Sequence, residues 1–276
     1  MQRFITLAFN TLLLLSLNAA TPETHYTVIV SLDGFRWDYP DMYKTPNLDR
    51  MAADGVKAVM LPSYPASTFP NHYTLATGLV PDHHGIINNT FWDVKNRRQY
   101  SMGDSATRNN PEYYLGEPIW ITAQKQGVKT GNMYWVGSDI AIKKSHPTYY
   151  RPWNAKPFLT FEQRIDTVLT WLQKPEPERL VIMRFFGVFV GGANHGGKCR
   201  LPQGAVVQHM DSLVGVLRKK IEALPFGGDI NLIVTSDHGM TDISPERVVN
   251  INDYVKPEWC EVIDGRTPTS IFSKPE

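Results

Sequence analysis

Two β-branched runs that lie about two hundred residues apart in this 276-residue chain both end on an aspartate. YTVIVSL runs from Tyr26 to Leu32 and is followed by Asp33-Gly34. INLIVTS runs into Asp237-His238-Gly239. Runs of this length and composition, bounded by Asp and Gly, read as buried strands closed by turns. A third run, RLVIMRFF, has the same character, and VKAVML and VKTGNMYW are weaker strand candidates. Between them lie helical patterns. TPNLDRMAADG places Thr45 as N-cap, Pro46 at the first helical position and Gly55 as the stop. PNHYTLATG reads as a helix opening at Pro70 and closing at Gly78. FEQRIDTVLTWLQ puts Ile165, Val168, Leu169 and Leu172 on one face. AVVQHMDSLVGVLRKKIEAL does the same for Val206, Met210, Leu213, Leu217, Ile221 and Leu224. Strands alternating with helices predict an α/β fold whose mostly parallel central sheet is covered by helices on both faces.

INLIVTS is the last clear strand of the pattern. Residues 80–115 are polar and weakly periodic, and read either as an inserted subregion or as a long functional loop. The first twenty residues, MQRFITLAFNTLLLLSLNAA, have a basic start, an apolar centre and a small-residue end. They read as a signal peptide, which implies an exported protein, periplasmic or secreted, with residues 21–276 as a single domain. The apolar stretch is short for a bilayer span, which needs about 20 residues. Net charge is +1 with scattered basic residues, which leaves no electrostatic footprint for nucleic acid. Two cysteines, Cys199 and Cys260, make neither a disulfide framework nor a thiolate zinc site. The sequence is silent on oligomeric state.

In an open parallel sheet, ligands bind beyond the carboxyl ends of the strands. Asp33, Asp237 and His238 all fall there. A lone Asp at a strand end serves equally well as a helix cap; two such ends, one with an adjacent His, favour a metal. Oxygen and nitrogen donors without thiolate suit zinc, and also manganese or iron. Thr68, in YPASTFPNHYTLATGL, stands at a helix start where free N–H groups favour anions. Taken alone it reads as a cap; beside a cation it reads as a nucleophile.

VSLDGFRWDY, STFPNHYTLATGLVPDHHGIINNTF, YWVGSD, HPTYYRPWN and TSDHGM together resemble the nucleotide pyrophosphatase/phosphodiesterases of the alkaline phosphatase superfamily, from about Tyr26 to Met240. The resemblance implies an alkaline phosphatase-like sandwich and a hydrolase of nucleotide phosphodiester or pyrophosphate bonds. It implies Thr68 as the nucleophile, and Asp33, Thr68, Asp237 and His238 as ligands of one of two zinc ions. It further implies Asn89 as the donor to a phosphoryl oxygen, and Phe69 with Trp153 as the aromatic slot for a nucleobase. The second metal of such enzymes takes an Asp and a His four residues apart after the strand RLVIM. Here His195 is the one remaining candidate ligand, and no acid occurs between Glu178 and Asp211, where composition predicts about three. Compared with the family pattern the chain reads as altered in this loop and shortened after Met240, an arrangement expected to leave a bare sheet edge and to lower stability. A phosphomonoesterase or phosphonate hydrolase of the same superfamily, and a non-catalytic metal- or nucleotide-binding remnant, are the alternatives.

Overall fold

The computed structural model describes residues 25–185, 203–241, 244–264 and 269–274. The predicted leader, His195 and Cys199 lie outside these residues. Five strands form one parallel sheet in the order β5-β4-β6-β1-β7: β1 Tyr26–Leu32, β4 Thr130–Met133, β5 Tyr149–Arg151, β6 Leu180–Phe185 and β7 Ile230–Thr235. β1 sits between β6 and β7, with Thr27 opposite Leu180 on one side and Asn231 on the other. Two antiparallel hairpins flank the sheet, β2 Thr90–Asp93 with β3 Arg98–Ser101, and β8 Cys260–Asp264 with β9 Ser270–Ser273. The helices are α1 Tyr39–Met42, α2 Pro46–Asp54, α3 Thr68–Thr77, α4 Pro81–His84, α5 Ser105–Arg108, α6 Ile119–Lys125, α7 Phe161–Leu172 and α8 Gln203–Glu222. Among the described residues no helix is long and apolar enough to cross a membrane.

The strand period of two divides the core. Val28, Val30, Val181 and Met183 face α7 and α8, where Ile165, Val168, Leu172, Met210, Leu213 and Leu217 are buried against them. Leu180 and Ile182 face the other way, toward Phe69 and Tyr73 of α3 and Trp120 of α6. The predicted faces of α7 and α8 are the ones that pack. A capping box starts α7: Thr160 accepts from the Gln163 N–H, and the Gln163 side chain accepts from the Thr160 N–H.

Three local expectations change. The helix expected from Pro70 begins at Thr68, with Ser67 as its N-cap residue; Pro70 is tolerated because the N–H it lacks belongs to the first turn, where no intrahelical acceptor exists. VKAVML forms no strand. Val56 is 95% and Leu61 88% exposed, and β7, the sheet edge nearest to this segment, is hydrogen-bonded only to β1. The segment and β7 both line a cavity of about 760 Å³, and the segment is not paired with that edge. Finally, residues 80–115 are an ordered subregion. Phe91 stacks on Tyr100 with ring centroids 4.6 Å apart, and Tyr113 meets both. Aromatic packing of this kind is cross-strand and leaves no helical or strand period in the sequence.

Candidate metal and phosphoryl-transfer site

The carboxyl ends of β1 and β7 are locked together before any ligand is considered. The Asp33 N–H donates to the Phe185 carbonyl at 2.8 Å. Gly34 then turns through a left-handed conformation, φ 75°, which a side chain would resist. Its N–H donates to Asp237 Oδ1 at 3.0 Å. The Ser236 hydroxyl accepts from the Phe35 N–H at 3.1 Å and reaches the Leu32 carbonyl at 2.8 Å. Two strand ends more than two hundred residues apart in sequence are thereby held in one frame.

Into that frame α3 delivers Thr68, which is 3% exposed. Its hydroxyl lies 3.2 Å from His238 Nε2. His238 Nδ1 is 2.8 Å from the Gly239 carbonyl; a carbonyl only accepts, so Nδ1 carries the hydrogen and a neutral ring presents its lone pair at Nε2. The same Nε2 is 3.3 Å from Asp237 Oδ2 and 3.7 Å from Asp33 Oδ1. Asp33, Thr68, Asp237 and His238 therefore lie together around His238 Nε2.

Two residues that sequence reasoning passed over complete the surroundings. His72 lies one helical turn beyond Thr68, within the quoted TFPNH block, and is fully buried. Its Nδ1 is 2.9 Å from the Thr68 carbonyl and 3.1 Å from Asp237 Oδ2. The carbonyl, which only accepts, takes the Nδ1 hydrogen, and the carboxylate oxygen lies beside it. Burial acts to raise the Asp237 carboxyl, but His72, with His238 and Arg184, holds it well below the ordinary carboxylate range. The spacing of four residues from Thr68 was the available signal. Arg184, at the end of β6, is 2% exposed. Its guanidinium pairs with Asp33 Oδ2 and lies 4.2 Å from the centroid of the Trp153 ring. An arginine inside an apolar strand run carries no pattern that marks it.

The donor set suits a divalent cation. Candidate ligand atoms of Asp33, His72 and Asp237 lie within 4.8 Å of one another. Asp33 Oδ1 and Asp237 Oδ2 are buried and accept no hydrogen bond; acceptors buried without donors are costly unless a cation satisfies them. Because Nδ1 of His72 holds the hydrogen, His72 orients Asp237 while His238 offers the nitrogen.

Beside the cradle the Phe69 N–H donates to Asn89 Oδ1 at 2.8 Å. That bond fixes the amide, occupies the Phe69 N–H and leaves Asn89 Nδ2 as the donor. Phe69 and Trp153 meet edge to face, 4.8 Å between centroids at 81°. Asn88 is buried, and its Oδ1 accepts from the Asn89 N–H at 2.8 Å. His195 lies outside the described residues.

With this geometry in view, comparisons with known proteins are direct. The profile of the type I phosphodiesterase/nucleotide pyrophosphatase family matches residues 27–276. Ectonucleotide pyrophosphatase/phosphodiesterase family member 3 of Mus musculus is 37% identical over 82% of this chain, which spans 26% of that protein. Family member 5 of Homo sapiens is 32% identical over 92% of the chain, which spans 53% of it. A solved structure of murine ectonucleotide pyrophosphatase/phosphodiesterase 5, an inactive threonine-to-alanine variant in complex with AMP, superposes with TM-score 0.81 at 33% identity, covering 91% of this chain and 66% of that one. The chain thus spans between about a quarter and two thirds of the relatives it matches. Sequence profile and superposed fold agree: the chain belongs to the type I phosphodiesterase/nucleotide pyrophosphatase family.

Proposed function

We propose that this chain hydrolyses nucleotide phosphodiester or pyrophosphate bonds with Thr68 as nucleophile. The observation that carries the reading is the position of the Thr68 hydroxyl, 3.2 Å from His238 Nε2 at the mouth of two carboxylate oxygens that are buried without donors. Asp33, Thr68, Asp237 and His238 would hold a divalent cation, and the oxygen and nitrogen donors fit zinc. A divalent cation supplies Lewis acidity there, lowering the pKa of an adjacent hydroxyl and neutralising charge that develops on a phosphoryl oxygen.

This chain's own residues do the rest. Thr68 Oγ1 attacks phosphorus, the bond to the leaving oxygen breaks, and the phosphoryl group rests on Thr68 until water displaces it. Asn89 Nδ2 donates to a non-bridging oxygen as charge accumulates there. Phe69 and Trp153 offer an aromatic edge and face for a base. A nucleotide ligand is in keeping with the murine relative solved with AMP and with a Xenopus laevis relative, 31% identical, named as a bis(5'-adenosyl)-triphosphatase. His195 is the residue available to a second zinc. Export through the N-terminal leader completes the reading.

The test is turnover of bis(p-nitrophenyl) phosphate by the purified chain, with and without chelator, beside Thr68→Ala. We expect turnover to vanish with the chelator and in the variant, and to exceed that of the mono-ester. Undiminished turnover by Thr68→Ala would exclude Thr68 as nucleophile. Elemental analysis on the same sample separates the readings: two zincs per chain support the enzyme, and one or none supports the remnant.

A further inference from the structure

Arg184 touches two parts of the site that differ in kind. One face of its guanidinium pairs with the outer oxygen of Asp33. The other lies 4.2 Å from the Trp153 ring centroid, and Trp153 meets Phe69. The residue is 2% exposed, so water screens it little, and a charge in such a setting acts over several ångströms.

Charge accounting gives that position a meaning. Asp33 and Asp237 together cancel one divalent cation when the imidazoles are counted as neutral ligands. A one-cation centre built from these groups, with Thr68 protonated, carries no net charge to draw a phosphate anion from a distance. Arginine is charged at any pH a folded protein meets, so Arg184 brings the sum to one positive charge. A phosphodiester carries one negative charge. Asp139, which accepts from the Trp153 backbone, is pushed above the ordinary carboxylate range by burial, with Arg108 acting against the rise.

We propose that Arg184 sets the charge of this centre: it holds Oδ2 of Asp33, leaves Oδ1 to the cation, and supplies the positive charge that draws a singly charged phosphodiester to Thr68. Arg184 acts through Asp33 and through its field, and is a positioning residue in that sense. The proposal rests on the reading of Thr68 and its cradle given above.

The test uses the full chain, with Thr68 intact for the cation titration and Thr68→Ala for the diester titration, so that no diester is consumed. Co2+ is titrated into metal-free protein, and bis(p-nitrophenyl) phosphate into the Co2+-loaded protein. With Arg184→Gln we expect Co2+ affinity to stay within about threefold or to tighten, because a like charge has gone, while diester affinity falls about tenfold or more. Arg184→Lys, which keeps the charge and loses the planar fork, should hold both affinities within about threefold and carries the test if the glutamine variant does not fold. Unchanged diester binding in Arg184→Gln overturns the proposal. So does a parallel loss of cation and diester, which would make Arg184 a mere anchor for Asp33; a tenfold loss of both in Arg184→Lys has the same force. If the protein with Arg184 intact takes up no Co2+, the cradle reading itself fails and takes this proposal with it, an outcome distinct from failure of the variants alone.

Discussion

His72 and Asp237, both without solvent exposure on their side chains, face each other at 3.1 Å across the gap between α3 and the end of β7. The contact reaches Asp237 Oδ2, the oxygen that accepts no hydrogen bond, while the Gly34 N–H holds Oδ1. One carboxylate is thus held from two sides, by a backbone N–H and an imidazole N–H.

Removing that orienting ring should weaken cation binding without removing a ligand. For His72→Phe we expect about a 10- to 100-fold loss of Zn2+ affinity, read by competition with a chromophoric chelator. His238→Ala, which deletes the nitrogen donor, should lose more. Equal affinities in both variants would mean that neither residue serves a cation.

Asn89 separates binding from chemistry. In Asn89→Asp the carboxylate still accepts from the Phe69 N–H but has no hydrogen left to donate to phosphate. We expect kcat to fall about 10²- to 10³-fold with a smaller change in KM, measured on bis(p-nitrophenyl) phosphate. A change confined to KM would place Asn89 outside the transition state.

Acid should destabilise the protein through His84, which contacts the helix that carries Thr68. Its Nδ1 accepts from the Ile86 N–H at 3.2 Å, so Nε2 holds the hydrogen and lies 3.0 Å from the Thr74 hydroxyl. Protonating Nδ1 breaks the first bond inside the core. Burial pushes its pKa down from 6.5 to about 4. The unfolded chain therefore binds more protons than the folded one between those values, and stability present above pH 6.5 is lost as pH falls through the window. The loss is on the order of 3 kcal/mol. Thermal melts from pH 7 to 4 should show it, and His84→Gln should flatten that part of the profile.

Packing between β4 and α7 offers a test of the fold that leaves the chemistry alone. A Cβ added at Gly131 would lie 2.6 Å from Trp171 Cε3. Gly131→Ala must displace a large ring, and we expect about 1–3 kcal/mol of destabilisation, measured by urea unfolding. A neutral result would mean that Trp171 has room to move.

What the sequence disclosed follows from the range of the interactions involved. β1, β6 and β7 were legible because buried parallel strands are apolar throughout, and α7 and α8 because their contacts repeat every turn. Asp33, Thr68, Asp237 and His238 were legible because strand ends and helix starts are where such residues gather. Val56–Leu61 misled because an apolar run says nothing about whether a ladder lies within reach. The β8–β9 hairpin and the Phe91–Tyr100–Tyr113 cluster depend on pairings between short segments that leave no period. Arg184 was hidden because its partners, Asp33 and Trp153, lie 151 and 31 positions earlier in the sequence.

Gly34 and Asp237 join at 203 positions' separation, and the unfolded chain must close a loop of that length to bring Asp33 and Asp237 together. A filled cradle would act as a clasp on that loop, so loading and folding would share one free energy. Withdrawal of the ion should then be felt as slackening across the whole sheet, from its first strand to its fifth, rather than as a vacancy at one end of it.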